Sequence, residues 1–333
     1  MKSPKVSIIV PIYNVSSFIE KCIVSLMEQT FEEIEYVFVN DATKDNSIEI
    51  LNSVVNRYAY RKECIKIIEH NINQGLAVSR NTGINNSKGE FILHIDSDDY
   101  IDTEMVKTMY DKAIEDSADI VVCDFCFEWK SKVKISSQQT SNNKNEYLRL
   151  LLEAKTLPGV VNKLFKRSLY IDNNIKAIPG INLGEDFLTT PRLVYFAKNI
   201  SKVDLPLYHY IQYNNNSHTS ILDKRYIDNL YNVYQHLEKF LINKNELDNF
   251  KDSLELGKFK KKIEILERCA FTEKAYVDSM FVINTMIIKK FNLSLKEKLF
   301  LFFERSHSEL LFRLYIIFYK RFFSILQKIK GRK

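Results

Sequence analysis

The sequence predicts an α/β fold in which a mostly parallel β-sheet carries helices on both faces. Short apolar runs typical of strands alternate with longer runs typical of helices through residues 1–128. Glycine (8) and proline (6) are scarce, which favours helices joined by short connections over a loop-rich β-sandwich. Polar residues follow the predicted strands where each strand ends. This βαβα order is typical of a sheet covered on both sides.

The predicted elements follow one another along residues 1–128. Strands are predicted at Val6–Val10, Glu35–Val39, Ile65–Ile68, Phe91–Ile95 and Asp119–Phe127. Helices are predicted at Val15–Met27, Ser47–Tyr58, Leu76–Ile84 and Thr103–Ile114. We expect the polar residues 130–146 to form an exposed loop, residues 147–222 to have mixed structure and the chain to be helical from about residue 223 onward.

The composition is that of an ordinary globular protein, with 333 residues, 45% of them hydrophobic and 27% charged. The net charge of +6 is too small to indicate nucleic acid, and we expect no such partner.

Five scattered cysteines do not suggest a disulfide framework. Cys123 and Cys126 lie in a predicted strand, so buried thiols in a reducing, cytosolic compartment are expected. We expect neither a signal peptide nor a membrane span, since the apolar run Val6–Tyr13 is short and Pro11 interrupts it.

An acidic run, Asp96–Asp99, directly follows the predicted strand that ends at Ile95. Three carboxylates this close repel one another, so a positive charge is expected beside them. A divalent cation held by oxygen ligands would supply it. The alternative is an acidic turn leading into the helix that begins near Asp102.

Polar groups at four strand ends indicate one shared site, because ligands of such sheets bind beyond the carboxyl ends of the strands. These groups are Tyr13–Asn14, Asn40–Asp41, Asn71–Gly75 and Asp96–Asp99. Neither common glycine-rich phosphate loop is present. A nucleotide bound here would therefore need a metal to bridge its phosphates to carboxylates.

Individual residues at these ends have both chemical and structural interpretations. Asp41 can accept hydrogen bonds from a nucleobase or ribose, or it can cap a turn. Asn73 suits an Asx-type cap and Gly75 a tight turn. Arg80 can pair with Asp41, Asp96 or a phosphate, or it can be a surface residue.

A second group of candidates lies beyond residue 180. Glu185 and Asp186 follow Gly184 and open a predicted helix, Phe187–Phe196, where a carboxylate can act as a general base or simply favour the helix dipole. His218 lies in the polar stretch 214–220, which can face a phosphate or metal or can be solvated.

These motifs together resemble an inverting family 2 glycosyltransferase with a GT-A fold, of the type that makes bacterial capsules, exopolysaccharides or lipopolysaccharides. The resemblance is clear over residues 5–128 and weaker to about residue 220. The matching segments are Val6–Asn14, Val39–Ser47, Asn73–Gly83, Gly89–Asp99, Asn162–Arg167 and Gly184–Asp186. Asn40 and Ala42 depart from the family pattern, which usually has Asp and Gly there.

The resemblance implies a role for each candidate residue. Pro11 and Tyr13 would line the nucleotide pocket. Asp41 would recognise the base, with Asn73 and Arg80 nearby. On the metal side, Asp96 would hold the ribose or the metal, Asp98 would bind Mn²⁺ or Mg²⁺ on the diphosphate, and His218 is a further candidate ligand. Asp186 would be the catalytic base, with Glu185 beside it.

The same resemblance implies a catalytic domain over residues 1–222 and a helical region over 223–333. Residues 1–128 would bind the nucleotide sugar, by default a UDP-sugar. Residues 147–222 would supply the base and bind a glycan or lipid-linked acceptor. The alternatives are a nucleotidyltransferase that makes sugar nucleotides and an inactive GT-A domain that only binds.

The C-terminal segment is basic and rich in aromatic residues. From Arg305 onward it carries eight Lys and Arg residues against Glu309 alone. Such a helix is typical of a segment that lies on an anionic membrane surface. We therefore expect a cytoplasmic protein held on the inner face of the cell membrane. The alternatives are packing on the catalytic domain or on a homodimer partner.

Overall fold

The computed structural model describes residues 3–181, 183–214, 224–268 and 273–305. The strands within these ranges are β1 (Val6–Ile12), β2 (Ile34–Asn40), β3 (Ile65–Glu69), β4 (Phe91–His94), β5 (Tyr100–Ile101), β6 (Ile120–Trp129), β7 (Lys132–Ser136), β8 (Lys163–Lys166) and β9 (Ile200–Ile211). The helices are α1 (Ile19–Met27), α2 (Ser47–Arg57), α3 (Leu76–Asn85), α4 (Met105–Glu115), α5 (Lys144–Leu152), α6 (Arg167–Ile171), α7 (Glu185–Phe196), α8 (Lys224–Asn243), α9 (Leu247–Arg268), α10 (Lys274–Met280), α11 (Thr285–Ile288) and α12 (Leu295–Arg305). A short 3₁₀ helix spans Ala59–Cys64.

The strands form one sheet in the order β3-β2-β1-β4-β8-β6-β9-β5, with β7 paired to β6. The first four strands in this order are parallel, and β6 and β9 are also parallel. The strand β8 is antiparallel to both neighbours and joins the two parallel parts. The predicted α/β fold is therefore confirmed. The carboxyl ends of β1, β2 and β4 meet at one edge of the sheet.

The core lies on both faces of the sheet, and every residue of β1 is buried. Both faces are apolar because helices cover both, as in parallel sheets generally. The helix α3 approaches β1 closely at Gly83, where a Cβ would lie 2.2 Å from Cγ2 of Ile9. This contact brings Arg80, one helical turn earlier, to the edge where the strands end.

The structure corrects the prediction of a loop over residues 130–146. The strand β7 lies in this range, and α5 begins at Lys144. Val133 and Ile135 are both 62% exposed. The position of β7 is therefore fixed by backbone pairing with β6 and not by burial of its side chains. A polar, exposed edge strand resembles a loop in sequence because it lacks a buried face.

The helices α8–α12 form the region that the sequence predicts to be helical. In α8, Leu230 and Val233 pack beside Gly184, just before α7. Phe300 of α12 packs on Phe259 of α9, with ring centroids 5.8 Å apart. No helix in the part of the chain that the structure describes has the length and apolar character needed to cross a bilayer. Most of the basic C-terminal segment, residues 306–333, lies outside the described residues.

Candidate active site

The ends of β1, β2 and β4 border one cleft of about 490 Å³, and the first residues of α7 line it too. This cleft contains every candidate site residue that lies in the described ranges. These residues are Pro11, Tyr13, Asp41, Asn73, Arg80, Asp96, Asp98, Glu185 and Asp186. His218 lies outside the described residues. The polar segments after β1, β2, β3 and β4, which the sequence predicts to share one site, thus line a single cavity together with the start of α7.

Asp41 follows β2 and is almost completely buried, at 3% exposed. The backbone N–H groups of Gln74 and Gly75 donate to its two carboxylate oxygens, each at 2.8 Å. His70 Nδ1 lies 2.7 Å from Oδ1. Asp41 therefore fixes the turn before α3 while it lines the cleft.

Asn73 does not cap α3 as the sequence suggests. The residue before α3 is Gly75, at φ +87°, and no side chain caps the helix. The side-chain amide of Asn73 instead donates to the backbone oxygen of Asp41 at 3.4 Å. Because the left-handed φ favours glycine, the conformation of Gly75 shapes this turn without a side-chain cap.

Arg80 is buried and bonds to three carboxylates at once. Nη1 donates to Oε1 of Glu185 at 2.8 Å and to Oδ1 of Asp186 at 2.5 Å. Nη2 donates to Oδ1 of Asp96 at 2.8 Å. Burial alone would lower the pKa of Arg80, but Asp186, Asp96 and Glu185 raise it well above its usual value. Arg80 thus supplies the positive charge expected beside the acidic run.

The three carboxylates of the acidic run have different surroundings. Asp96 pairs with Arg80, and Asp98 accepts a hydrogen bond from the amide of Asn214 at 2.8 Å. Asp99 is buried and accepts from the Tyr208 hydroxyl and from the backbone N–H of Ile211, both at 2.7 Å. Burial, followed by the charges of Asp98 and Asp96, raises the pKa of Asp99 well above its usual value. Asp99 therefore belongs to the core, whereas Asp96 and Asp98 face the cleft.

Glu185 and Asp186 are in the first turn of α7, after Gly184 at φ +81°. Burial raises the pKa of Glu185 to about 8, and the charge of Asp186 acts in the same direction. Burial also raises the pKa of Asp186, while Arg80 opposes this effect. A carboxylate whose pKa is raised is a stronger base than an exposed one, which suits proton abstraction.

The charge of the cleft suits a divalent cation together with a polyanionic ligand. Five carboxylates line the cleft (Asp41, Asp96, Asp98, Glu185 and Asp186), and Arg80 is the cation among its lining residues in the described ranges. A diphosphate placed here would meet a net negative surface. Carboxylate oxygens are the ligands that Mg²⁺ and Mn²⁺ prefer. Asp98 lines the cleft two residues after Asp96 and accepts a hydrogen bond from the amide of Asn214, and its carboxylate oxygens fit a metal ligand.

Two residues of the site, His70 and Tyr210, were missed in the sequence, and Asn214 was noted only as part of the polar stretch 214–220. His70 connects Asp41 to the Thr82 hydroxyl, which lies 3.0 Å from Nε2. Tyr210 of β9 and Asn214, just after β9, line the cleft. The position of His70 directly after β3 was the available signal. Tyr210 and Asn214 reach the cleft only through the pairing of β9 with β6 and β5.

An α/β fold whose strand ends present carboxylates and one arginine to a single cleft is compatible with an enzyme that binds a nucleotide there. Residues 7–172 match the profile described as glycosyl transferase family 2. The putative glycosyltransferase EpsH of Bacillus subtilis (strain 168) is 33% identical over 77% of this chain and 74% of its own length. The chain therefore belongs to glycosyl transferase family 2 and is a glycosyltransferase, which confirms the resemblance.

Solved structures show the same fold. Staphylococcus aureus TarS 1–349, in complex with UDP, superposes with a TM-score of 0.59 and 21% identity, over 88% of this chain and 77% of TarS 1–349. The mannosyltransferase PcManGT of Pyrobaculum calidifontis, in complex with GDP-Man and Mn²⁺, has a TM-score of 0.53 and 17% identity, over 95% and 86% of the two chains. At these identities the likeness establishes the GT-A fold. Because the chain belongs to this family, the alternative that it is a nucleotidyltransferase is excluded.

Proposed function

We propose that this glycosyltransferase moves a sugar, with inversion, from a UDP-sugar to a hydroxyl group of a glycan or lipid-linked acceptor during synthesis of a bacterial surface polysaccharide. The observation that carries the proposal is the single cleft in which Asp41, Asp98 and Asp186 come together. The solved relative TarS binds UDP on the same fold, which supports a uridine nucleotide. The surface-polysaccharide role rests on the family resemblance.

Asp186 acts as the general base in this proposal. It takes the proton of the acceptor hydroxyl as the acceptor oxygen bonds to the anomeric carbon. The bond from that carbon to the diphosphate oxygen breaks on the opposite face, and UDP leaves with the electron pair. Attack and departure in line invert the anomeric configuration. Arg80 orients Asp186 through the contact at 2.5 Å.

Asp41 and Asp98 hold the donor. Asp41 accepts a hydrogen bond from the N–H of uracil, beside Pro11 and Tyr13. Asp98 binds Mn²⁺ or Mg²⁺, which would neutralise charge on the leaving diphosphate. The complex of PcManGT with GDP-Man and Mn²⁺ supports a metal on this fold.

UDP release tests the proposal. Purified enzyme is incubated with UDP-glucose, UDP-galactose or UDP-N-acetylglucosamine, with Mn²⁺, Mg²⁺ or EDTA, and with or without a glycan or lipid-linked acceptor. We expect metal-dependent release from one donor, and loss of release in Asp98→Ala and Asp186→Asn. The exposed Asp102, which lies outside the cleft, provides the control Asp102→Ala, with normal release. UDP release that persists in EDTA would show that the reaction does not require a divalent metal. UDP binding without release from any donor would favour an inactive binding domain.

We propose further that the C-terminal segment holds the enzyme on the inner face of the cell membrane. The support is its basic and aromatic composition, which suits anionic lipid. Truncation after Arg305 keeps α12 and its contact with Phe259. The full-length protein should float with phosphatidylglycerol vesicles, and the truncated form should not. Equal flotation excludes this role, and a dimer lost on truncation would indicate contact with a second copy instead.

A further inference from the structure

Lys163, the first residue of β8, is fully buried. Its ammonium group donates to the backbone oxygens of Leu157 and Gly159, at 3.2 and 2.7 Å, and to Oδ1 of Asn162 at 2.7 Å. These acceptors are all neutral. A buried ammonium with neutral partners is costly to desolvate, so a fold that keeps one there needs a reason for it. The site residues proposed above do not include it.

The backbone that Lys163 holds is the segment 157–160, which runs alongside Asp186. Carbonyl groups of this segment accept hydrogen bonds from buried donors: Leu157 and Gly159 from Lys163, and Pro158 from the Thr190 hydroxyl at 2.6 Å. A Cβ on Gly159 would lie 3.8 Å from Oδ2 of Asp186. The backbone N–H of Val160 donates to the Asp186 carboxylate. Lys163 thus supports the segment that contacts this carboxylate.

Six charged or titratable groups surround Asp186. They are Arg80 of α3, Asp96 after β4, Glu185 of α7, Lys163 of β8, Tyr170 of α6 and Tyr210 of β9. Arg80 and Lys163 both lower the pKa of Asp186 against the effect of burial, and Arg80 has the larger effect. Burial lowers the pKa of Lys163 itself to about 7, so its charge is complete only below that pH. Arg80 bonds to three carboxylates. The hydrogen bonds of Lys163 to residues that the structure describes go to neutral oxygens instead.

We propose that Lys163 is a positioning residue that holds the segment 157–160 against Asp186 and so keeps this carboxylate aimed at the acceptor. The inference rests on the proposed role of Asp186 as base. Lys163 does not line the cleft, so it acts on turnover through Asp186 and leaves donor binding unchanged.

The test measures UDP affinity and the pH dependence of UDP release in Lys163→Met, with the UDP-sugar and metal that the donor screen selects. We expect UDP affinity to be unchanged and kcat to fall roughly 10- to 100-fold, as misplacement of a catalytic group does. The acid limb of the kcat profile should move to higher pH, because loss of a nearby cation raises the pKa of a carboxyl. Lys262→Met is the matched control, since Lys262 is also buried but lies in α9 and pairs with Asp278. It should move neither kcat nor the acid limb.

A second variant keeps the inference testable if Lys163→Met does not fold. Lys163→Gln retains hydrogen-bond donors without the charge, so it should restore the fold and part of kcat while the acid limb stays displaced. Wild-type kcat in Lys163→Met, or a lower kcat with an unmoved acid limb in either variant, overturns the inference. Normal UDP release by Asp186→Asn would instead show that Asp186 is not the base, and the proposed mechanism would then be wrong.

Discussion

The buried Arg80 and the partly exposed Asp186 form an ion pair in which Nη1 lies 2.5 Å from Oδ1. The same guanidinium group reaches Asp96, so it joins the end of β4 to the start of α7. These two parts of the cleft come from opposite halves of the catalytic region. Arg80 therefore connects the proposed donor side of the cleft to the proposed base.

Replacement of Arg80 should affect both stability and turnover. Arg80→Met leaves three carboxylates in the cleft without their cation, and removal of one partner from a buried pair costs about 3–5 kcal/mol. We expect this loss in chemical denaturation, together with loss of UDP release. Arg80→Lys should recover little of either, because one ammonium cannot form the forked contacts. The exposed pair of Arg57 and Glu20 gives the control: Arg57→Met should stay within about 0.5 kcal/mol of wild type.

Glu185 should make the stability of the protein depend on pH. Its pKa is raised to about 8 in the folded state, from 4.5. The folded state thus binds more protons than the unfolded state between these values, and stability falls as pH rises through this window. Glu185→Gln lacks this titration. The difference between its free energy of unfolding and that of the wild type should therefore change in favour of the variant as the pH rises from 5 to 9. Parallel curves for the two proteins would contradict the raised pKa. The exposed Glu32 provides the matched control, Glu32→Gln.

Gly184 should resist substitution more strongly than Gly180. Both have a left-handed φ, +81° and +84°, which costs a side chain about 1–2 kcal/mol. At Gly184 a Cβ would also lie 3.2 Å from Leu230 and 3.3 Å from Val233 of α8, whereas nothing is within 4 Å at Gly180. Gly184→Ala should therefore destabilise the protein by about 1 kcal/mol more than Gly180→Ala. It should also lower kcat, because it displaces the turn that carries Asp186. Equal effects on stability would mean that α8 does not support this turn.

Asp41 should discriminate between nucleobases. A carboxylate accepts from the N–H at position 3 of uracil, whereas cytosine has no hydrogen on that nitrogen. Asp41→Asn should weaken UDP binding by roughly 1–3 kcal/mol, since the amide also loses an acceptor for Gln74 or Gly75. Calorimetry with UDP and CDP should show that the preference for UDP shrinks in the variant. An unchanged preference would assign base recognition elsewhere.

Sequence patterns were sufficient for the fold class and for the convergence of the strand ends. Glu185 and Asp186 were joined to this site only through the family resemblance, and His70 and Tyr210 were not predicted. Parallel strands that end in polar residues bring those residues to one edge, so the pattern alone places Asp41 and Asp98 together. The partners of Arg80 could not be predicted, because Glu185 and Asp186 lie 105 and 106 residues away from it along the chain. The strand β7 was missed because its side chains are exposed. The contacts of Lys163 depend on the path of the segment 157–160, which no periodicity reveals.

The central claim is that one cleft holds the metal and the nucleotide of the donor together. A crystal structure with UDP and Mn²⁺, in which anomalous scattering locates the metal, tests this claim most directly. We expect Mn²⁺ to be bound by a carboxylate oxygen of Asp98, in the same cleft as the diphosphate, with uracil against Asp41. UDP bound outside this cleft, or a metal that has no contact with Asp98, would contradict it.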